Sequence, residues 1–86
     1  MSFRVWKVRV VHPSALKHGI AVADIEHALR HAMKVLEGDD GSRLHLGTGR
    51  NAELLEVITT RRPDGSEQAI HAMKMRLKYA ILLPRE

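Results

Sequence analysis

The sequence predicts an α+β fold: a small antiparallel sheet of about four strands, two N-terminal helices packed on one face of it, and a short C-terminal helix. Three observations predict this. Apolar residues between positions 22 and 36 recur at spacings of three and four, the signature of an amphipathic helix. From residue 43 to residue 74, runs of strand-forming residues alternate with clusters of turn formers. The helical segments sit together and most of the strands follow together, which favours segregated rather than alternating layers.

Phe3 to Val11, rich in valine and aromatics, is the first expected strand. His12-Pro13-Ser14 ends it, because proline cannot donate to a ladder but suits the first turn of a helix. A short helix from Pro13 to His18 would close at Gly19. The main helix spans 22–36, with Val22, Ile25, Leu29, Ala32, Met33 and Leu36 on one stripe and Glu26, His27, Arg30 and Lys34 facing away. Gly38-Asp39-Asp40-Gly41-Ser42 breaks the chain. Arg43 to Thr48 is the second strand, closed by Gly47-Thr48-Gly49-Arg50-Asn51, and Glu53 to Thr60 the third. Pro63-Asp64-Gly65 reads as a tight reversal that lets Ser66 to Lys74 pair back as the fourth strand. Arg76 to Leu83 is the short terminal helix, stopped by Pro84.

With 86 residues the chain forms one domain, 1–86. A chain of this size buries only about 60–65% of its unfolded surface, so its stability margin is thin. No apolar run approaches the ~20 residues of a membrane span, and no signal-peptide pattern opens the chain; the expected setting is the cytoplasm, with no membrane partner. The absence of cysteine excludes disulfides and thiolate metal sites. The net charge is +4, unevenly spread. Residues 1–23 carry Arg4, Lys7, Arg9 and Lys17 and no acid; residues 68–86 carry Lys74, Arg76, Lys78 and Arg85 against Glu86. The middle holds nine acids and six bases, a net of −3. If the basic ends meet in the fold, they form a cationic surface suited to RNA, DNA or an acidic protein.

Several chemistries find no support. His27 and His31 sit four apart on the main helix, but zinc needs three or four ligands, and His27-Ala28-Leu29-Arg30-His31 lacks the glutamate of the metalloprotease helix motif. Two solvated helix-face histidines are the expected reading, with no metal and no cofactor. The loop Gly47-Thr48-Gly49-Arg50-Asn51 lacks the Lys-Ser/Thr ending of a phosphate-binding loop and precedes a strand, so it reads as a hairpin turn. No serine lies in a nucleophile-elbow context. What remains is His12, Lys17 and His18 near the first turn and His71, Lys74, Arg76, Lys78 and Tyr79 near the end. Strict alternation in the fourth strand puts Ala69, His71 and Met73 on one face and Ile70, Ala72 and Lys74 on the other. A bend after the strand is then needed to bring Lys74 and Arg76 round to His71.

These segments resemble the BrnT-like ribonuclease toxins of bacterial type II toxin–antitoxin modules, small basic proteins of RelE-like architecture. Lys17-His18-Gly19-Ile20 is similar to the family's Lys-His-Gly-Val/Ile element before its main helix. Leu44-His45-Leu46-Gly47 and Leu54-Leu55-Glu56-Val57-Ile58-Thr59-Thr60-Arg61 resemble its central hairpin. Ile70-His71-Ala72-Met73-Lys74-Met75 resembles a strand usually read Ile-Ser-Ala-Arg-Lys-Ala, which enters a basic C-terminal helix. Three departures mark a divergent member. The family's N-terminal Trp-Asp element is not reproduced around Trp6, His71 replaces serine, and Met73 replaces an arginine that would bind phosphate bidentately.

The resemblance implies metal-free RNA cleavage that inhibits translation and growth. Such cleavage needs a base for the ribose 2′-OH, an acid for the leaving 5′-oxygen, and cations for the phosphate. Histidine can serve as base or acid, which assigns His18 and His71, with Arg76 completing the catalytic set. Lys17, Lys74 and Lys78 are the expected RNA-binding cations, and Tyr79 a base-stacking or proton-donating group. The resemblance also implies a cognate antitoxin that covers the basic face and binds DNA in the complex. A homodimer and a toxin–antitoxin hetero-oligomer are the expected assemblies. The competing expectation is a non-catalytic module whose basic surface docks RNA or an acidic partner protein.

Overall fold

The computed structural model describes residues 8–84, and the side chains from residue 10 onward. Residues 3–7 of the first expected strand, Trp6, and the basic residues Arg4, Lys7 and Arg85 lie outside the described residues, as does the side chain of Arg9. The fold is α+β, but the sheet has five strands and is mixed. In chain order the strands are β1 (Val8–Val11), β2 (Lys34–Glu37), β3 (Arg43–Thr48), β4 (Leu54–Arg61) and β5 (Glu67–Lys74). Their order across the sheet is β1-β5-β4-β3-β2. A nine-residue helix, α1 (Val22–Arg30), covers one face. Two short 3-10 helices, η1 (Pro13–Leu16) and η2 (Leu77–Leu82), stand where fuller helices were expected.

The β3-β4-β5 meander follows the expected boundaries within a residue or two, because turn formers punctuate it. Asp64 Oδ1 accepts from the Ser66 amide at 2.9 Å in the β4–β5 reversal, and Asp40 Oδ1 from the Ser42 amide at 3.1 Å in the β2–β3 reversal that precedes the meander, so a side chain closes each of these two turns.

Four features depart from expectation. First, β1 runs parallel to β5, with Val11 opposite Ala69, so it is not part of an antiparallel sheet. Second, α1 ends at Arg30, not at residue 36. The amide of Met33 donates to the Leu46 carbonyl at 2.7 Å, and Lys34–Glu37 zips antiparallel onto β3. Two further helical turns would have left the β3 edge unpaired; the Gly38–Ser42 reversal makes the hairpin available instead. Third, β5 bulges. Ile58 faces His71 but Thr59 faces Ala69, so Ile70 is the extra residue and alternation restarts beyond it. Ala69 therefore does not share a face with His71. Fourth, the terminal helix is a single 3-10 element with no buried residue, its Leu77 and Ile81 exposed by 86% and 76%.

Residues paired across strands share a face of the sheet. Leu55, Val57, Thr59, Ala69 and Ala72 therefore face α1, and Leu46, Glu56, Ile58, His71 and Met73 face the opposite way. The core lies on the α1 side, where Ile25, Ala28 and Leu29 pack with Ala15, Leu55, Val57, Ala69 and Ala72. The helix can come this close because β3 carries Gly47. A Cβ there would run into the carbonyl oxygen of Ala28. Asp24 in the first turn of α1 ties down the β3–β4 loop through the backbone and side chain of Arg50, at 2.9 and 2.8 Å.

Candidate functional site

The site is built around Glu56, in the middle of β4 on the face away from α1. Its side chain is fully buried. The carboxylate accepts from His71 Nε2 at 3.1 Å, from the Arg76 amide at 2.9 Å, and from Arg76 Nη2 at 2.8 Å, while Arg76 Nε bridges both oxygens at 3.2 and 3.1 Å. Burial pushes the Glu56 carboxyl up, but the hydrogen bonds from the Arg76 side chain, the Arg76 amide and His71 outweigh it and hold the group below its ordinary value. The same carboxylate raises the Arg76 guanidinium above its ordinary value. A buried charge needs such partners to be tolerated.

Two local features deliver these partners. The bulge at Ile70 turns His71 onto the Glu56 face. At the other end of β5, the Met75 amide still donates to the Leu54 carbonyl at 3.0 Å, and extended backbone at Arg76 then swings the chain over Glu56. A carboxylate can only accept, so His71 Nε2 carries the proton, and in the neutral ring Nδ1 holds the lone pair.

His18 arrives from the other side. The chain leaving β1 stays on the edge of β5: the His12 amide donates to the Ala69 carbonyl at 2.9 Å, and Ser14 Oγ to the Ile70 carbonyl at 2.6 Å. His12 itself caps η1 by accepting from the Ser14 amide at 3.1 Å. Gly19, at φ +80°, then reverses the chain toward α1. This leaves the His18 ring edge-on to His71, with centroids 5.6 Å apart. Lys17 is exposed beside it.

Of the expected residues, His18, His71, Arg76, Lys78 and Tyr79 are therefore neighbours. The Tyr79 ring lies 5.6 Å from the Arg76 guanidinium carbon and 5.1 Å from Lys78 Nζ. Lys74 is not brought in. It faces the α1 side opposite Leu55, and its Nζ pairs with Glu53 at 3.2 Å. The residue that sequence reasoning missed is Glu56. Its signal was an acid at the centre of the apolar run Leu54-Leu55-Glu56-Val57-Ile58, where a strand tolerates a charge only if a partner reaches it.

A second polar cluster lies on the α1 face. His45 Nε2 hydrogen-bonds to Thr59 Oγ1 at 2.9 Å, and that hydroxyl donates to Glu67 Oε1 at 2.9 Å. Arg43 Nη1 reaches Glu67 Oε2 at 3.1 Å, and Arg43 Nη2 reaches Glu37 at 3.3 Å. His45 is 1% exposed, and burial pushes it down to about 4 despite the nearby Glu67 carboxylate. Elsewhere, the His27 and His31 rings lie with centroids 4.3 Å apart and planes tilted by 34°. Among the described residues, no group of three or more His, Asp or Glu side chains could hold a metal ion, and no helix is long and apolar enough to cross a membrane.

Chemically, the Glu56 cluster offers one imidazole oriented by a carboxylate, a second imidazole beside it, and cations around both. That set suits proton transfer next to an anion. A comparison with protein-family models, with curated proteins and with solved structures finds no match to this chain.

Proposed function

We propose that this chain is a divergent BrnT-like toxin, a small basic endoribonuclease that works without a metal and stops translation and growth by cleaving RNA. One observation carries the reading: Glu56 orients His71, and the His18 ring stands 5.6 Å from it. His71 Nδ1 takes the proton of a ribose 2′-OH, whose oxygen attacks the adjacent phosphorus. Glu56 stabilises the imidazolium that forms, as a carboxylate does behind a catalytic histidine. A protonated His18 gives its proton to the departing 5′-oxygen. The products are a 2′,3′-cyclic phosphate and a free 5′-hydroxyl. Lys17, Lys78 and the outer edge of Arg76 neutralise the phosphate, and Tyr79 stacks on a neighbouring base. An antitoxin with an acidic surface would cover this face in the cytoplasm.

A second reading has its own support. The Nε–Nη2 fork of Arg76 is occupied by Glu56, and Met73 stands where the resembling strand carries arginine. Both reduce the grip on a scissile phosphate and favour a non-catalytic module that docks RNA or an acidic protein. One experiment separates the two. The chain and its His18→Ala, His71→Ala and Arg76→Ala variants are purified and incubated with RNA in the presence of EDTA, with growth arrest scored in parallel. The toxin reading expects cyclic-phosphate products from the parent and a loss of about 10²- to 10⁴-fold in either histidine variant. Tight binding without products leaves the docking module. Undiminished cleavage in all three variants removes these residues from the mechanism.

A further inference from the structure

We infer that His27 and His31 form a surface site for a divalent transition-metal ion of the imidazole-loving kind, Cu²⁺ foremost. The site lies at the C-terminal end of α1 and is independent of the Glu56 cluster. Three observations support it. The two residues are four apart, and the His31 amide still donates to the His27 carbonyl at 3.0 Å, so the helical turn between them is intact. Their ring centroids lie 4.3 Å apart. A metal about 2.0–2.1 Å from one nitrogen of each ring, with the two bonds near a right angle, would set the centroids about 4.5 Å apart. The rings therefore already stand at the spacing that adjacent ligation requires.

The third observation concerns His27 alone. Its Nδ1 lies 2.6 Å from the Thr48 carbonyl oxygen, which can only accept. Nδ1 therefore carries the proton and Nε2 the lone pair. A ring nitrogen tied to a backbone carbonyl is the usual support behind a metal-bound histidine, fixing both its tautomer and its orientation. The rings of His18 and His71, by contrast, meet edge-on at 5.6 Å, wider than the spacing that adjacent ligation sets.

Two protein ligands leave the remaining coordination positions to water. Imidazole donors favour Cu²⁺ over Zn²⁺ and Ni²⁺ in the usual divalent order. The test is a titration of the full, tag-free chain with CuCl₂ at neutral pH, followed by calorimetry and by electron paramagnetic resonance. The expected result is one Cu²⁺ per chain, with hyperfine splitting from two nitrogens. His27→Ala and His31→Ala should each weaken binding by at least about tenfold, since the second imidazole no longer acts at high effective concentration. The His18→Ala/His71→Ala double variant should bind as the parent does. Unchanged binding in either single variant, loss of the site in the double variant, or a nitrogen count other than two would overturn the assignment. Circular dichroism of each variant shows that the helix is retained.

Discussion

Glu56 and Glu67 are both buried carboxylates, on adjacent strands, and each gathers an arginine and a histidine; the two clusters nevertheless lie on opposite faces of the sheet and differ in access. Glu56 touches His71 directly, and the outer parts of that cluster are open, with the Arg76 side chain 46% exposed. Glu67 is linked to His45 through the Thr59 hydroxyl, and His45 is sealed. Direct contact orients an imidazole that solvent can still reach, its side chain 25% exposed. The interposed hydroxyl completes a buried network whose histidine is held neutral. Residue types alone do not separate an open cluster from a sealed one; the face and the intervening atom do.

The largest expected effect is on stability at the open cluster. Glu56→Ala removes the acceptor shared by His71, the Arg76 amide and the Arg76 side chain. It should cost about 3 kcal/mol, the low end for breaking a buried ion pair, because Arg76 can turn to water. Urea denaturation measures this, and a cost below that of Thr59→Val would reverse the ranking of the two clusters.

Acid should act on the sealed cluster at a different pH. His45 sits at about 4 in the fold against an ordinary 6.5, so the unfolded chain takes up this proton first. Its contribution is present in full above pH 6.5 and is lost as the pH falls toward 4. Glu56, held below its ordinary 4.5, loses its contribution only below that value, as the pH falls through its folded position. His45→Gln should therefore flatten the stability profile between pH 6.5 and 4 and leave the more acidic limb in place. A slope that persists in this variant would assign it to another group.

The smallest of the three effects is Thr59→Val, which strips the hydroxyl from between His45 and Glu67 without changing the side-chain shape much. Leaving a buried donor and acceptor unpaired should cost about 1–3 kcal/mol. RNA binding and any cleavage should stay at the parent level, because the change lies on the far face.

Local signals explain how much of this was legible in the sequence. The start of β3 and the β4–β5 reversal were readable because Asp40-Gly41-Ser42 and Asp64-Gly65-Ser66 carry their own turn chemistry. The end of α1 was not, since Met33 and Leu36 continue the helical stripe and only the free edge of β3 makes Lys34–Glu37 a strand. His18, His71 and Arg76 could be named as chemistry-bearing residues, but their meeting depends on the bulge at Ile70, which strict alternation does not contain. Arg76 was read as a phosphate ligand, whereas its fork holds Glu56, a partner twenty residues upstream.

The parallel pairing of β1 with β5 has a kinetic consequence. Val11 meets Ala69 across 58 residues (69 − 11), so closing that pair orders a long loop before the ladder repays it. The antiparallel hairpins of β2 to β5 can form from near neighbours first. His18 rides on the segment that docks last on this account, and His71 on the strand that receives it. The two imidazoles would then come together only in the final step of folding, so a partly folded chain would carry both rings without the cluster they form.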